Sequence, residues 1–263
     1  MIPADASLPR SEARARRDAL IQYLRARGEV EVSALPEVFG VSVETIRRDL
    51  RQLESTGRII RSHGRVAAAE SAAFETSQAF RSAYHADEKD RIARAAAACL
   101  ENAETVFLDE GNQPLLAGRA LPTDRDLTIV TTSLPTAIEL AERPHTTVIA
   151  IGGRVRPTTL GAVDHWATAM LERMEPDLAF IGANGVTDDG WLTTPDPAVA
   201  AVKETALAVA RRAVFVGSHD KFGHSTFVRF GHVRSLERII TGRELRGTTA
   251  RRLSSFGPQV DRV

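Results

Sequence analysis

Between residues 89 and 241, short runs that are apolar at nearly every position alternate with segments of helical period, and this alternation narrows the choice of fold sharply. Thr105-Val106-Phe107-Leu108, Leu127-Thr128-Ile129-Val130, Thr147-Val148-Ile149-Ala150-Ile151, Leu178-Ala179-Phe180-Ile181, Ala213-Val214-Phe215-Val216 and Arg238-Ile239-Ile240-Thr241 read as strands. Residues 89–101, 114–120, 135–143, 163–174 and 197–212 read as the intervening helices. A strand that is apolar on both faces must be covered on both. The pattern therefore predicts an α/β unit, a mostly parallel sheet covered by helices. Ligands of such sheets bind beyond the carboxyl ends of the strands, near helix N-termini. The segments that fall there are Asp109-Glu110-Gly111-Asn112-Gln113, Thr131-Thr132-Ser133, Gly152-Gly153-Arg154, Gly182-Ala183-Asn184-Gly185 and Ser218-His219-Asp220-Lys221-Phe222-Gly223. Backbone donors, hydroxyls and a lysine suit a small polyhydroxylated or anionic ligand.

The first quarter of the chain follows a different rule. In residues 38–54, Ser42 is placed to cap a helix and Glu44 faces the positive end of its dipole. Ile46, Leu50 and Leu53 share one face, while Thr45, Arg48, Arg51 and Gln52 lie elsewhere on the cylinder. Residues 32–39 read as a preceding helix capped by Ser33, with Leu35, Val38 and Phe39 inward, and Gly40 makes the turn. Residues 58–66 alternate apolar and basic side chains around Gly64, as a two-stranded wing does. A helix over residues 12–27, ended by Gly28, completes a winged-helix DNA-binding head. Arg47, Arg48, Arg51, Arg61 and Arg65 are expected mostly to hold phosphates, and Ser42, Glu44, Thr45 and one arginine to reach base edges. Ser33 and His63 complete the expected contact set.

A chain of 263 residues holds such a head and leaves ample length for a second core. The expected division is a flexible tail over 1–14, the head over 15–70, a connecting arm over 71–86, the α/β unit over 87–245 and a tail over 246–263. Phe74, Phe80 and Tyr84 are expected to dock the arm on the body. Overall charge is zero, yet residues 1–69 carry 12 Arg against nine acidic residues, a mildly basic head on a mildly acidic body. No basic start precedes an apolar core at the N-terminus, and no apolar run reaches membrane-spanning length, so a cytoplasmic protein without membrane contact is expected. The single Cys99, in a helix-prone run, is expected in the core. Of the 34 basic side chains only Lys89, Lys203 and Lys221 are lysine, which marks them as positions where a compact ammonium is needed.

Both halves resemble the DeoR family of bacterial transcriptional regulators. In the head the resemblance rests on Val41-Ser42, Thr45-Ile46-Arg47-Arg48-Asp49-Leu50, Leu53-Glu54, Gly57, Arg61 and His63-Gly64. In the body it rests on the three lysines, Gly152-Gly153, Thr193-Thr194-Pro195 and Lys221-Phe222-Gly223. It implies a sensor domain similar in fold to ribose-5-phosphate isomerases, binding a phosphorylated sugar. It further implies a repressor of carbohydrate-use genes that binds a double-stranded operator. Because a single head makes too small an interface for tight specificity, a homo-oligomer assembled through the body is expected. Together with the loops beyond the strand ends, the resemblance gives an expected effector set of Asp109, Gly111, Asn112, Gln113, Thr131, Thr132, Ser133, Gly152, Gly153, Arg154, Lys203 and Lys221. No catalytic residue, cofactor or metal is expected. The chain departs from the family at Glu110-Gly111-Asn112-Gln113, where the phosphate loop usually reads Ser-Gly-Thr-Thr after its Asp. It departs again at Thr132, usually Asn, and at Ser218, usually Asp. Those departures keep open a ligand-independent regulator. A more distant alternative is an isomerase with Asp109 or Glu110 as base and Lys203 or Lys221 on the sugar.

Overall fold

A computed structural model describes residues 10–56, 58–62, 64–68 and 85–263, and these fall into two compact units, 10–68 and 85–263. Gly57, His63 and the arm with Phe74, Phe80 and Tyr84 lie outside the described residues.

The first unit is built from α1 (Arg10–Arg27), β1 (Glu29–Glu31), α2 (Leu35–Phe39), α3 (Val43–Ser55), β2 (Ile59–Ser62) and β3 (Arg65–Ala68). Leu20, Ile21 and Leu24 of α1 meet Leu35, Ile46, Leu50, Leu53, Ile59 and Val66 in one core. Asp49, on the inner side of α3, is buried and accepts a hydrogen bond from Arg16 Nε at 2.6 Å. Gly40 ends α2 in the left-handed conformation (φ 60°), where a side chain would be strained. Several expectations change. The helix expected from residue 12, inside a flexible 1–14 tail, already begins at Arg10. Ser33 caps nothing, because it sits inside a 3₁₀ turn (Val32–Ala34) and its hydroxyl donates to Glu31 at 3.4 Å. Val38 is exposed, and Phe39 instead packs edge-on against Tyr23. The wing gains a third strand, since β1 pairs antiparallel with β3 through Val30 and Val66.

The second unit carries a seven-stranded sheet in the order β15 (Gln259–Arg262), β14 (Arg238–Thr241), β12 (Arg212–Val216), β9 (Leu178–Ile181), β4 (Thr105–Leu108), β5 (Leu127–Thr131), β6 (Thr146–Ala150). All its pairings are parallel. Successive side chains of one strand enter opposite cores. Phe107, Ala179 and Phe215 lie in one, and Val106, Leu108, Phe180 and Val214 in the other. That is why these strands are apolar throughout. The covering helices are α4 (Ala86–Ala97), α5 (Asn112–Ala120), α6 (Leu134–Ala141), α7 (His165–Leu171), α8 (Pro197–Val209) and α9 (Gly247–Ser254). A two-stranded ribbon, β7 (Arg154–Val155) with β8 (Ala162–Val163), and a small antiparallel sheet, β10 (Gly185–Val186), β11 (Trp191–Thr194) and β13 (Val228–His232), complete the unit.

Here too the boundaries move. The expected 163–174 helix shrinks to α7, because Val163 pairs in the ribbon and Asp164 turns the chain at φ 76°. The 246–263 stretch is no tail. It forms α9 and then β15, which joins β14 at the sheet edge with Arg238 Nη1 on Asp261 Oδ2 at 2.7 Å. Cys99 is buried in the core as expected, and burial pushes its thiol pKa up.

Strand order reverses at β4. From there the chain adds β5 and β6 on one side, then returns to lay β9, β12, β14 and β15 on the other. The crevice of a parallel sheet opens at such a switch point, between the carboxyl ends of the two strands that flank it. Asp109 follows β4 and Gly182 follows β9.

Candidate functional site

In the first unit the outer face of α3 is set by its cap. Ser42 Oγ accepts a hydrogen bond from Thr45 N at 3.2 Å and lies 2.9 Å from Thr45 Oγ1, fixing the amino end of the helix. With Ile46, Leu50 and Leu53 committed to the core, Arg47 and Arg48 face solvent, and neither has an acidic partner among the described residues. The other arginines are paired. Arg51 reaches Glu44 at 2.8 Å, Arg61 lies 3.5 Å from Glu54, and Arg65 meets Glu29 at 2.6 Å. Exposed pairs of this kind contribute little and exchange readily for a phosphate. A groove lined by Ser33, Val43, Ile46, Arg47, Gly64 and Arg65 joins α3 to the wing. Ser33, Arg47 and Arg65 are thereby brought together.

In the second unit Asp109 is fully buried at the switch point. Its carboxylate accepts hydrogen bonds from Gly182 N at 2.9 Å, from Glu110 N at 2.8 Å and from the Lys203 ammonium. Lys203, on α8, also donates to Gly182 O at 3.2 Å, so β4, β9 and α8 are tied at one point. Glu110 is satisfied as well. It sits 3.2 Å from Arg156 Nη1 and accepts from Thr159 Oγ1 at 2.8 Å, while Arg156 Nε reaches Asp196 at 3.0 Å. Arg156 and Thr159 thus hold the loop between β7 and β8 against the phosphate-loop position. The sequence nominated Arg154 instead. Arg154 is exposed and paired with Asp164 at 2.7 Å, together with the exposed Gly152 and Gly153. Chain position alone does not separate Arg154 from Arg156, since only the turn of the ribbon decides which guanidinium points inward.

The remaining expected residues divide by role. Gly111 holds φ 117° just before α5. Asn112 and Gln113 are buried in its first turn, and Gln113 Nε2 donates to Lys89 O at 2.9 Å. Thr131 Oγ1 donates to Leu108 O at 2.7 Å, and Ser133 caps α6 through Thr136, so both hold backbone. Thr132 Oγ1 is buried and has no hydrogen-bond partner among the described residues, and the same is true of Gln113 Oε1. Each such atom is a place for a bound guest's hydrogen bond. Lys221 ends a short 3₁₀ turn after β12 and lowers the pKa of Asp220, against the opposing effect of burial. Next to Lys89, Glu88 is buried and accepts from His219 N at 2.7 Å, a contact between chain segments that no sequence motif announces.

A family model described as the DeoR-like helix-turn-helix domain matches residues 16–72, and one described as the DeoR C terminal sensor domain matches residues 84–243, stopping short of α9 and β15. The glycerol-3-phosphate regulon repressor of Escherichia coli is 31% identical over 226 residues, covering 86% of this chain and 89% of that protein. The HTH-type transcriptional regulator GlpR of Haloferax volcanii is 33% identical over 229 residues, covering 87% and 89%. A solved ribose 5-phosphate isomerase A from Methanocaldococcus jannaschii overlays 52% of this chain and 54% of its own at 16% identity, with a TM-score of 0.39. Among the described residues no helix is long and apolar enough to cross a membrane. A DNA-binding head followed by a small-molecule sensor domain, each matched by its family's model, makes the chain a member of the DeoR family of transcriptional regulators.

Proposed function

We propose that this regulator is a cytoplasmic repressor of carbohydrate-use genes, released from its operator by a phosphorylated sugar or a related polyhydroxylated metabolite. What carries the proposal is the buried polar set beyond the carboxyl ends of β4 and β5, where Asp109 holds Lys203, Glu110 holds Arg156, and the Thr132 hydroxyl and the Gln113 amide oxygen lie buried without a hydrogen-bond partner among the described residues. The Escherichia coli relative, named for a regulon of a phosphorylated polyol, supports the same ligand class. Asp109, Gly111, Asn112, Gln113, Thr132, Lys203 and Lys221 are assigned to the ligand. Thr131 and Ser133 hold the backbone around it. On the DNA side, Arg47 and Arg65 take phosphates, with Arg51 and Arg61 exchanging their carboxylates for DNA, while Arg48 joins Ser42, Glu44 and Thr45 at the bases. The protein binds its ligand without turnover, since the candidate bases Asp109 and Glu110 are both held by cationic partners. A single head makes too small an interface for tight specificity, so the protein assembles as a homo-oligomer that spans repeated half-sites.

Fluorescence anisotropy with DNA from upstream of its own gene and its neighbours, at fixed salt, tests the DNA assignment. Arg48→Ala is expected to lose about 1–3 kcal/mol, roughly a 5- to 150-fold drop in affinity. Unchanged binding refutes the placement of α3. A thermal-shift screen of sugar phosphates, free sugars and polyol phosphates tests the effector, because a ligand at a hundred times its Kd stabilises the fold by about 2.7 kcal/mol. The hit is then expected to release the operator. One observation favours a ligand-independent regulator: Lys203 and Arg156 are already neutralised by the protein's own carboxylates. A flat screen selects that alternative.

A further inference from the structure

The amino end of α4 and the turn after β12 bring together three side chains that the effector assignment does not use. Glu88 lies in the first turn of α4 with its side chain only 4% exposed. His219 N donates to Glu88 Oε1 at 2.7 Å, which fixes the carboxylate and leaves Oε2 turned toward two imidazoles. His219 Nδ1 is 2.9 Å from Oε2, and His85 Nδ1 is 4.0 Å from the same atom. The two rings meet edge to face, with centroids 4.9 Å apart. One donor atom from each of the three residues lies within 4.8 Å of the other two. His219 meets Glu88 through both its backbone N–H and its ring. The second imidazole, carried at φ 56° on the residue before the helix, adds the third corner of a donor triangle.

Two imidazoles and a carboxylate form a borderline-hard donor set that suits zinc, iron, nickel or copper, and is poor for magnesium or calcium, which favour all-oxygen shells. At bond lengths of about 2.0–2.1 Å, the donors of a tetrahedral site stand roughly 3.3–3.4 Å apart, so the observed spacings need only small side-chain rotations. The backbone also makes room. Gly242 faces Glu88 where a Cβ would overlap Oε1, and Gly keeps that carboxylate in place. Asp220 and the ammonium groups of Lys89 and Lys221 act on the same neighbourhood, so the site is not built from negative charge alone.

We propose that His85, Glu88 and His219 bind one divalent transition-metal ion of the zinc class, leaving a coordination position open for water or another oxygen donor. The site uses none of the residues assigned to the effector, and it adds a metal where the sequence suggested none.

The experiment uses the full chain without a histidine tag, stripped with a chelator and then titrated with Zn²⁺ by calorimetry and with Co²⁺ by absorption. One equivalent of Zn²⁺ per chain is expected, with Co²⁺ showing the intense visible bands of a low-coordinate nitrogen–oxygen site and Zn²⁺ displacing it. His219→Gln and Glu88→Gln should each weaken binding at least about tenfold. His85→Gln, at a partly buried position before the helix, should do the same while keeping the wild-type circular dichroism and melting temperature. The exposed pair His145→Gln/His165→Gln should change nothing. The proposal is overturned if the wild-type chain shows no saturable single equivalent, or if folded His85→Gln binds as wild type does. In either case the cluster is only a hydrogen-bonded tie between α4 and the β12 turn.

Discussion

Glu110 stands where the family's phosphate loop usually carries a serine, and its surroundings show what the exchange does. Its carboxylate is held by Arg156 and Thr159, and Gly161 offers no side chain at the point where a Cβ would overlap it. Such a buried pair adds little net stability, yet removing one member strands the other. Glu110→Ser is therefore expected to destabilise the sensor by about 1–3 kcal/mol, moderated because Arg156 keeps Asp196. The same change turns Arg156 toward the pocket. Affinity for phosphorylated sugars should rise at least about tenfold, equivalent to roughly 1.4 kcal/mol, as read by calorimetry on wild type and variant. No gain would mean that Arg156 does not face the ligand. Asp49 makes a similar argument in the head. It is buried against Arg16, and Arg17 lies 3.9 Å away. Both arginines keep some contact with water, so Asp49→Ala should cost about 2 kcal/mol in urea denaturation, less than a fully buried pair. The sequence shows Asp49 only as one charge among several on α3. Its burial depends on a partner 33 residues earlier, and periodicity within one helix carries no such information.

Among the elements, the long apolar strands and the capped helices were legible because each advertises itself locally, by period and by a terminal residue. Ser42 is the clearest case. Ser42→Ala should lower the stability of the head by about 1 kcal/mol and weaken operator binding through a frayed first turn of α3. β1, β10 and β15 were not legible. β1 and β10 are too short to show alternation, and β15, at a sheet edge, needs no apolar residue on both faces. Gln259-Val260-Asp261-Arg262 thus looks like surface until its partner β14 is known. The start of β4 depends on another long-range tie. Asp177 accepts hydrogen bonds from Thr105 Oγ1 at 2.7 Å, Thr105 N at 3.0 Å and Glu104 N at 3.1 Å. The Thr105 hydroxyl, aided by those amides and opposed by burial, holds the Asp177 pKa below its ordinary value. A carboxylate depressed in the folded state stabilises the fold above its unfolded pKa, near about 3.9, and that contribution disappears as pH falls through the folded value. Denaturation of wild type and Asp177→Asn should differ at neutral pH and converge in acid, once Asp177 is protonated in both the folded and the unfolded chain.

For the whole molecule, the two-unit plan was legible because head and sensor obey different periods, and the charge asymmetry of a neutral chain pointed to the half that meets DNA. The pocket was legible only as a set of loops. Its polar contacts tie β4, β9, α8 and the β7–β8 ribbon, and no local rule says that Arg156 rather than Arg154 turns inward. Association with DNA should show the salt dependence of phosphate neutralisation. Plotting log affinity against log salt for wild type and Arg47→Ala should reduce the slope by about one unit, with similar losses on operator and unrelated DNA. A larger loss on the operator alone would make Arg47 a base reader. β15 has a further consequence, one of timing. Domains tend to fold in the order in which they leave the ribosome, at about 5–20 residues per second. The described residues of the head end at Ala68, whereas the sensor's edge strand and the Val263 carbonyl that Arg91 and Arg243 grip arrive about 10–40 s later. For that interval each newborn chain carries a finished DNA-binding face and an unfinished receiver. During rapid synthesis, nascent heads tethered to the ribosome form a population that no metabolite can yet address.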